Sequence, residues 1–179
     1  MLQISGFEVQ TTRDTDISIY DNGVTGLRNQ KISDMENRLE IIKSYPDSLF
    51  ISIHQNQFTE PEYFGGQVFY TTNNPANFAI AKIMQNCFAE LQTGNDREVK
   101  LIDNGLYLFK TTEQPAVLIE CGFLSNDKDC TNLSNLDYQK KVAFEIYKGI
   151  MAYYGQSNTA EAEITEETDV KAEDGLYMQ

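Results

Sequence analysis

Two apolar runs in this chain end in residues that could do chemistry. Ser48–His54 (SLFISIH) is β-rich and turns polar abruptly at His54-Gln55-Asn56, and Ala116–Gly122 (AVLIECG) carries a carboxylate, Glu120, inside it. Desolvating a carboxylate is costly, so Glu120 is expected to be paired, bound to a cation, or raised in pKa. A raised pKa is what a general acid or base needs near neutrality, whereas pairing with Arg or Lys across a sheet is the plainer reading. His54 is the only histidine. It is either a hydrogen-bonded structural residue or a ligand or base. Being single, it excludes the two-histidine H-E-x-x-H zinc site, and no G-x-S-x-G elbow is present to make it part of a serine triad.

Other polar residues are weaker candidates. Asn95, Arg97 and Lys100 read as a solvated loop or as substrate contacts. Asp34 and Arg38 stand i, i+4 on a predicted helix, where a surface ion pair between them is expected. Of the three cysteines, Cys87 falls on a helical apolar stripe and Cys121 in an apolar run, so both read as small buried hydrophobes. An odd, small count without a C-x-x-C pair does not make a disulfide framework.

The elements that must position these residues alternate. Phe7–Thr11 reads as a short strand, followed by a polar loop with Gly23 and Gly26. Ser33-Asp-Met-Glu36 fits a capping box, which predicts a helix with Met35, Leu39 and Ile42 on its apolar face. After the His54 strand comes a loop over 55–66 ending in Gly65-Gly66, then a strand at Gln67–Thr71 and a helix over Ala76–Leu91. Leu106–Phe109 and Ala116–Gly122 read as strands, and Tyr138–Tyr154 as a closing helix. This order predicts an α/β fold, a mostly parallel twisted sheet with helices on both faces. The nearly continuous apolar runs FISIH and AVLIECG suit strands covered on both sides. In such sheets function collects beyond the carboxyl ends of the strands, so His54 and Glu120 are expected to face one crevice.

The chain has 179 residues and a net charge of −13, of which −6 falls from Gln156 onward and −7 on residues 1–155. The organisation expected is one domain over 1–155 and a disordered acidic tail over 156–179. That charge gives no electrostatic footprint for nucleic acid, and no run approaches the ~18 apolar residues of a membrane span. No basic region followed by an apolar stretch opens the chain, so no export signal is read.

Three segments together carry a family resemblance. Ser52-Ile-His54-Gln-Asn56, Gly65-Gly66-Gln-Val-Phe-Tyr70 and Pro115-Ala-Val-Leu-Ile-Glu120-Cys-Gly-Phe-Leu-Ser-Asn126 resemble the zinc amidases of the amidase-3 family. Thr12-Arg13-Asp14, Asp34…Arg38 and Tyr138…Ile150 fall in the same order, so the resemblance covers about residues 5–154. The wording is most similar to the germination-specific, spore-cortex branch. The resemblance implies hydrolysis of the amide between N-acetylmuramic acid and L-alanine of peptidoglycan, outside the cytoplasm in the cell envelope or spore cortex. It implies one zinc ion, with His54 as a ligand, Glu120 as the catalytic glutamate acting on zinc-activated water, and Asn56, Asn95, Arg97 and Lys100 as candidates for substrate contact. The family's other two ligands, one His and one Glu, have no counterpart here. The expectation is therefore a domain incomplete at its N-terminus, lacking the first strand and first helix, that binds no zinc tightly and does not hydrolyse peptidoglycan by itself. The alternative is an inactive remnant that binds peptidoglycan without cleaving it.

Overall fold

The computed structural model describes residues 1–102 and 105–173, with side chains through residue 155. Among the described residues ten elements follow one another, the first a single 3₁₀ turn at Leu2–Ser5. The helices are α1 (Leu27–Lys43), α2 (Ala76–Leu91), α3 (Tyr107–Thr111), α4 (Asp127–Leu133) and α5 (Leu136–Glu173). The strands are β1 (Phe50–Asn56), β2 (Gln67–Tyr70), β3 (Lys100–Leu101) and β4 (Ala116–Phe123). They form one sheet in the order β1-β4-β2-β3, with β1/β4 and β2/β3 parallel and β2/β4 antiparallel. A mixed α/β fold with a mostly parallel sheet is what the alternation predicted.

Strand β4 divides the core, because successive residues point to opposite faces. Val117, Ile119 and Cys121 pack with Val68 against Ile80, Met84 and Phe88 of α2 and Val142, Ile146 and Ile150 of α5. Ala116 and Leu118 face the other way, onto Phe109 of α3 and the flanking Phe50, Phe69 and Ile102. Helix α1 packs on α3 at that side. Residues of β4 from Ala116 to Ile119 are buried almost throughout, as expected for a strand covered on both faces.

Several expectations need correction. Phe7–Thr11 forms no strand. Its alternation is genuine, but a strand exists only as one side of a ladder, and the outer edge of β1 pairs with no described segment. Phe7 instead packs on Tyr154, with ring centroids 5.2 Å apart. Leu106–Phe109 belongs to the start of α3, with Lys110 N–H donating to the Leu106 carbonyl. A four-residue apolar run does not distinguish strand from helix. The Ser33 capping box does not start a helix either, because α1 begins six residues earlier, after Gly26 at φ 84°. Ser33 and Asp34 are buried and turned onto the preceding loop: the Ser33 hydroxyl accepts from Asp21 N–H, and an Asp34 carboxylate oxygen from Ile19 N–H at 2.7 Å. The Asp34–Arg38 pair forms at 2.7 Å but is not a surface pair, since Asp34 is buried. Arg38 also reaches Thr12, so the pair ties the loop of residues 12–21 to the helix. Burial raises the Asp34 pKa, yet hydrogen bonds from Arg38 and Ile19 hold it below the usual carboxylate range.

The short helix α4 and strand β3 were not foreseen. Helix α4 had a visible signal, Asn126 three residues before an acid, and the Asn126 side chain accepts from Asp129 N–H. Helix α5 continues as backbone to Glu173, and the tail expected from residue 156 lies outside the residues with described side chains. Among the described residues no helix is long and apolar enough to cross a membrane.

Candidate active site

The register of the sheet places the two sequence candidates side by side. His54 of β1 is level with Glu120 of β4, and Glu120 is level with Gln67 of β2. Residues level with one another share a face, so His54, Glu120 and Gln67 form a polar row across three strands. The row lies at the carboxyl ends of β1 and β4, above the Phe50–Leu118–Phe69 side of the core.

Beyond the row the ladder is irregular. His54 faces Glu120 but Asn56 faces Phe123, so β4 carries one extra residue at Cys121-Gly122. A bulge of this kind turns the following side chain to the other face. It sets Phe123 level with Asn56, on the side of Glu120. Gly122 is required there: a Cβ would lie 2.9 Å from an Asp129 carboxylate oxygen. Asp129, at 2% exposure, holds the bulge from below. One of its oxygens accepts from Gly65 N–H at 2.7 Å and Phe123 N–H at 2.9 Å, and the other from the Gln92 amide at 2.8 Å.

Neither plain reading of the two candidates is met. Glu120 forms no ion pair or side-chain hydrogen bond among the described residues, and its Oε2 is buried without a partner. Burial alone raises its pKa. The His54 ring makes no hydrogen bond among the described residues, and the protein around it, with the nearby Arg38 charge, lowers its pKa. The imidazole is therefore neutral at neutral pH, the form that can accept a proton or bind a metal. A carboxylate with a raised pKa beside a neutral imidazole, neither engaged elsewhere, is an arrangement suited to proton transfer.

The other candidates separate. Asn56 stands at the end of β1, level with Phe123, and its side-chain oxygen accepts from Gln57 N–H. Arg97 comes to the same end: its Nε donates to the Phe64 carbonyl at 2.6 Å and its guanidinium lies 4.3 Å from the centre of the Phe123 ring. Asn95 is buried, donating to the Gly66 and Phe88 carbonyls, so its polar atoms hold the Gly65-Gly66 turn. Lys100 is exposed on β3, opposite Phe69 and a strand beyond the row. Gln67, Tyr63, Phe123 and Asp129 were missed as parts of this region. The signal available for them was the glycine pattern, Gly65-Gly66 and Gly122, which marks close backbone approach.

This geometry agrees with what the chain is similar to. The profile of the Amidase_3 family, N-acetylmuramoyl-L-alanine amidase, matches residues 1–152. The chain belongs to the Amidase_3 family. Within it, the germination-specific N-acetylmuramoyl-L-alanine amidase of Bacillus subtilis (strain 168) is 36% identical over 153 residues, 86% of this chain and 64% of that protein. The chain thus spans slightly less than two thirds of that relative's length. The CwlD amidase from Clostridioides difficile, solved in complex with the GerS lipoprotein, is 38% identical with a TM-score of 0.82, covering 86% of this chain and 79% of that one. The catalytic domain of CwlV, an N-acetylmuramoyl-L-alanine amidase from Bacillus (Paenibacillus) polymyxa var. colistinus, is 30% identical with a TM-score of 0.60, covering 68% of this chain and 65% of that one. The α/β architecture is that of the Amidase_3 fold.

Proposed function

We propose that the protein hydrolyses the amide bond between N-acetylmuramic acid and L-alanine of peptidoglycan, with Glu120 as general base and His54 at the position of one of the family's zinc ligands. The observation that carries this reading is the in-register His54–Glu120 pair, free of other partners among the described residues, at the strand ends of a family member. The germination-specific name of the Bacillus subtilis relative supports a reading in which the work is done in the cell envelope or spore cortex, outside the cytoplasm. Glu120 holds a carboxylate whose raised pKa suits taking a proton from water and passing it to the leaving L-alanine nitrogen. Asn56 and Arg97, at the same end of the sheet, and Lys100, one strand beyond the row and opposite Phe69, are kept as candidates for substrate contact.

The residues present do not by themselves complete a zinc site. Among the described residues no group of three or more His, Cys, Asp or Glu could hold a metal ion, and His54 is the single histidine. A catalytic zinc needs about three protein ligands. No step of the proton transfer is therefore routed through the metal here. The same observation favours a second reading, in which the protein binds peptidoglycan without cleaving it.

One experiment separates the two. Sacculi are incubated with the protein in excess zinc and in chelator, and released peptides with free L-alanine amino ends are counted. Release that disappears in Glu120→Gln supports hydrolysis; pelleting with the sacculi that ignores chelator, without release, supports binding alone. Neither pelleting nor release sinks both readings. Loss of activity in Glu120→Gln is not expected to come from unfolding. Because the folded pKa of Glu120 is raised, wild-type stability falls as pH rises from the ordinary carboxylate value through the raised one. The amide variant has no such loss, so its Tm at neutral pH is expected to be higher by about 2 °C, the difference closing in acid. A lower Tm for the variant at pH 7 would contradict this account of Glu120.

A further inference from the structure

We infer that Arg97 binds a carboxylate of the stem peptide and makes the site prefer stems whose second residue carries a free acid over those where it is amidated. This inference rests on the peptidoglycan reading and goes beyond it by naming the group recognised.

Two hydrogen bonds and two aromatic rings hold the guanidinium. Nε donates to the Phe64 carbonyl at 2.6 Å, and one Nη lies 3.4 Å from the Gln67 side-chain oxygen. The Phe123 ring lies 4.3 Å and the Tyr63 ring 5.4 Å from its central carbon. These contacts fix the plane of the fork before any ligand arrives. Arg97 is only partly exposed, and among the described residues it forms no ion pair. Its second Nη has no hydrogen-bond partner there. A partly desolvated cation with its plane set and one Nη unpartnered is placed to donate a charge-assisted hydrogen bond to a carboxylate. A lysine in the same place could do so only as a point charge.

Position connects this fork to the reacting bond. Gln67, which Arg97 touches, is level with Glu120, and Phe123, over which it stacks, is level with Asn56, two residues beyond His54. Two residues of strand advance about 7 Å, the reach of one or two residues of a peptide. With the scissile amide at Glu120, the fork thus stands where the residue following L-alanine can reach it. In stem peptides that residue is a glutamate joined through its side chain, which leaves its α-carboxyl either free or amidated. The protein's net charge of −13 works against binding an anion anywhere else, so a local cation is needed to offset it.

Titrating two soluble ligands, MurNAc-L-Ala-D-Glu and MurNAc-L-Ala-D-isoglutamine, into the 179-residue protein tests this. The free acid is expected to bind about tenfold tighter than the amide, the size of one charge-assisted hydrogen-bonded contact. Arg97→Gln is expected to remove the preference, and Arg97→Lys to keep part of it, with folding of each checked by circular dichroism. Equal binding of acid and amide by the wild-type protein overturns the inference without any variant and leaves the peptidoglycan reading standing. A preference that survives in folded Arg97→Gln also overturns it. Failure to bind either dipeptide or sacculi overturns the peptidoglycan reading and this inference with it.

Discussion

Asp129→Ala is expected to cost the fold about 4 kcal/mol, the largest effect of any single side chain described above. Asp129 is buried, and its two oxygens satisfy three donors, the N–H groups of Gly65 and Phe123 and the Gln92 amide. A buried donor left without an acceptor costs about 1–3 kcal/mol, and three are orphaned at once. Urea unfolding should show a lower midpoint at unchanged m-value, the mark of lost stability without a change in the denatured state. The loss should not stay local. Asp129 joins the Gly65-Gly66 turn before β2, the end of α2 and the bulge in β4, the three segments that carry Gln67, Arg97's neighbours and Phe123. Ligand binding is therefore expected to weaken in Asp129→Asn, which keeps the volume and one acceptor and so folds better than the alanine variant. A cost below about 1 kcal/mol for Asp129→Ala would show that water replaces the carboxylate and that the bulge stands without it.

Zinc is expected to bind this chain with a dissociation constant above about 10 µM, many orders of magnitude weaker than a complete site. The reason is ligand number. A complete structural site contributes roughly 10–16 kcal/mol because each ligand after the first closes on the ion at little further entropic cost. Here His54 brings one nitrogen and the adjacent Glu120 one carboxylate, and no third group of the right type joins them among the described residues. Competition against a chromogenic chelator measures this. One zinc per chain retained through dialysis would mean that a ligand set forms which the described residues do not show.

Much of this was legible from residue order. Helix α2 falls on the expected residues, because Ile80, Met84 and Cys87 repeat at helical spacing over a long run. Strands β1, β2 and β4 lie within a few residues of expectation, since β-rich runs bounded by polar or glycine turns have few alternatives. His54 and Glu120 stand out as candidates, and their adjacency in register follows from both ending apolar strands. The bulge was not legible. One extra residue at Cys121-Gly122 has no periodic signature, yet it decides that Phe123 and Arg97 share a face with Glu120. Ser33 reads as a helix cap and Asn95 as a solvated loop residue or substrate contact, but tertiary contacts bury both and use their hydrogen bonds on neighbouring backbone. Phe7–Thr11 failed because alternation states a preference, whereas a strand needs a partner.

The substrate is expected to lie on one face of the sheet, at the carboxyl ends of β1 and β4. Titrating MurNAc-L-Ala-D-Glu into the ¹⁵N-labelled protein and following backbone amide shifts tests it most directly. Shifts are expected to concentrate at His54, Asn56, Gln67, Arg97, Glu120 and Phe123, with the α2 and α5 side of the core unmoved. Shifts centred on α2 and α5, or none at millimolar ligand, would contradict it.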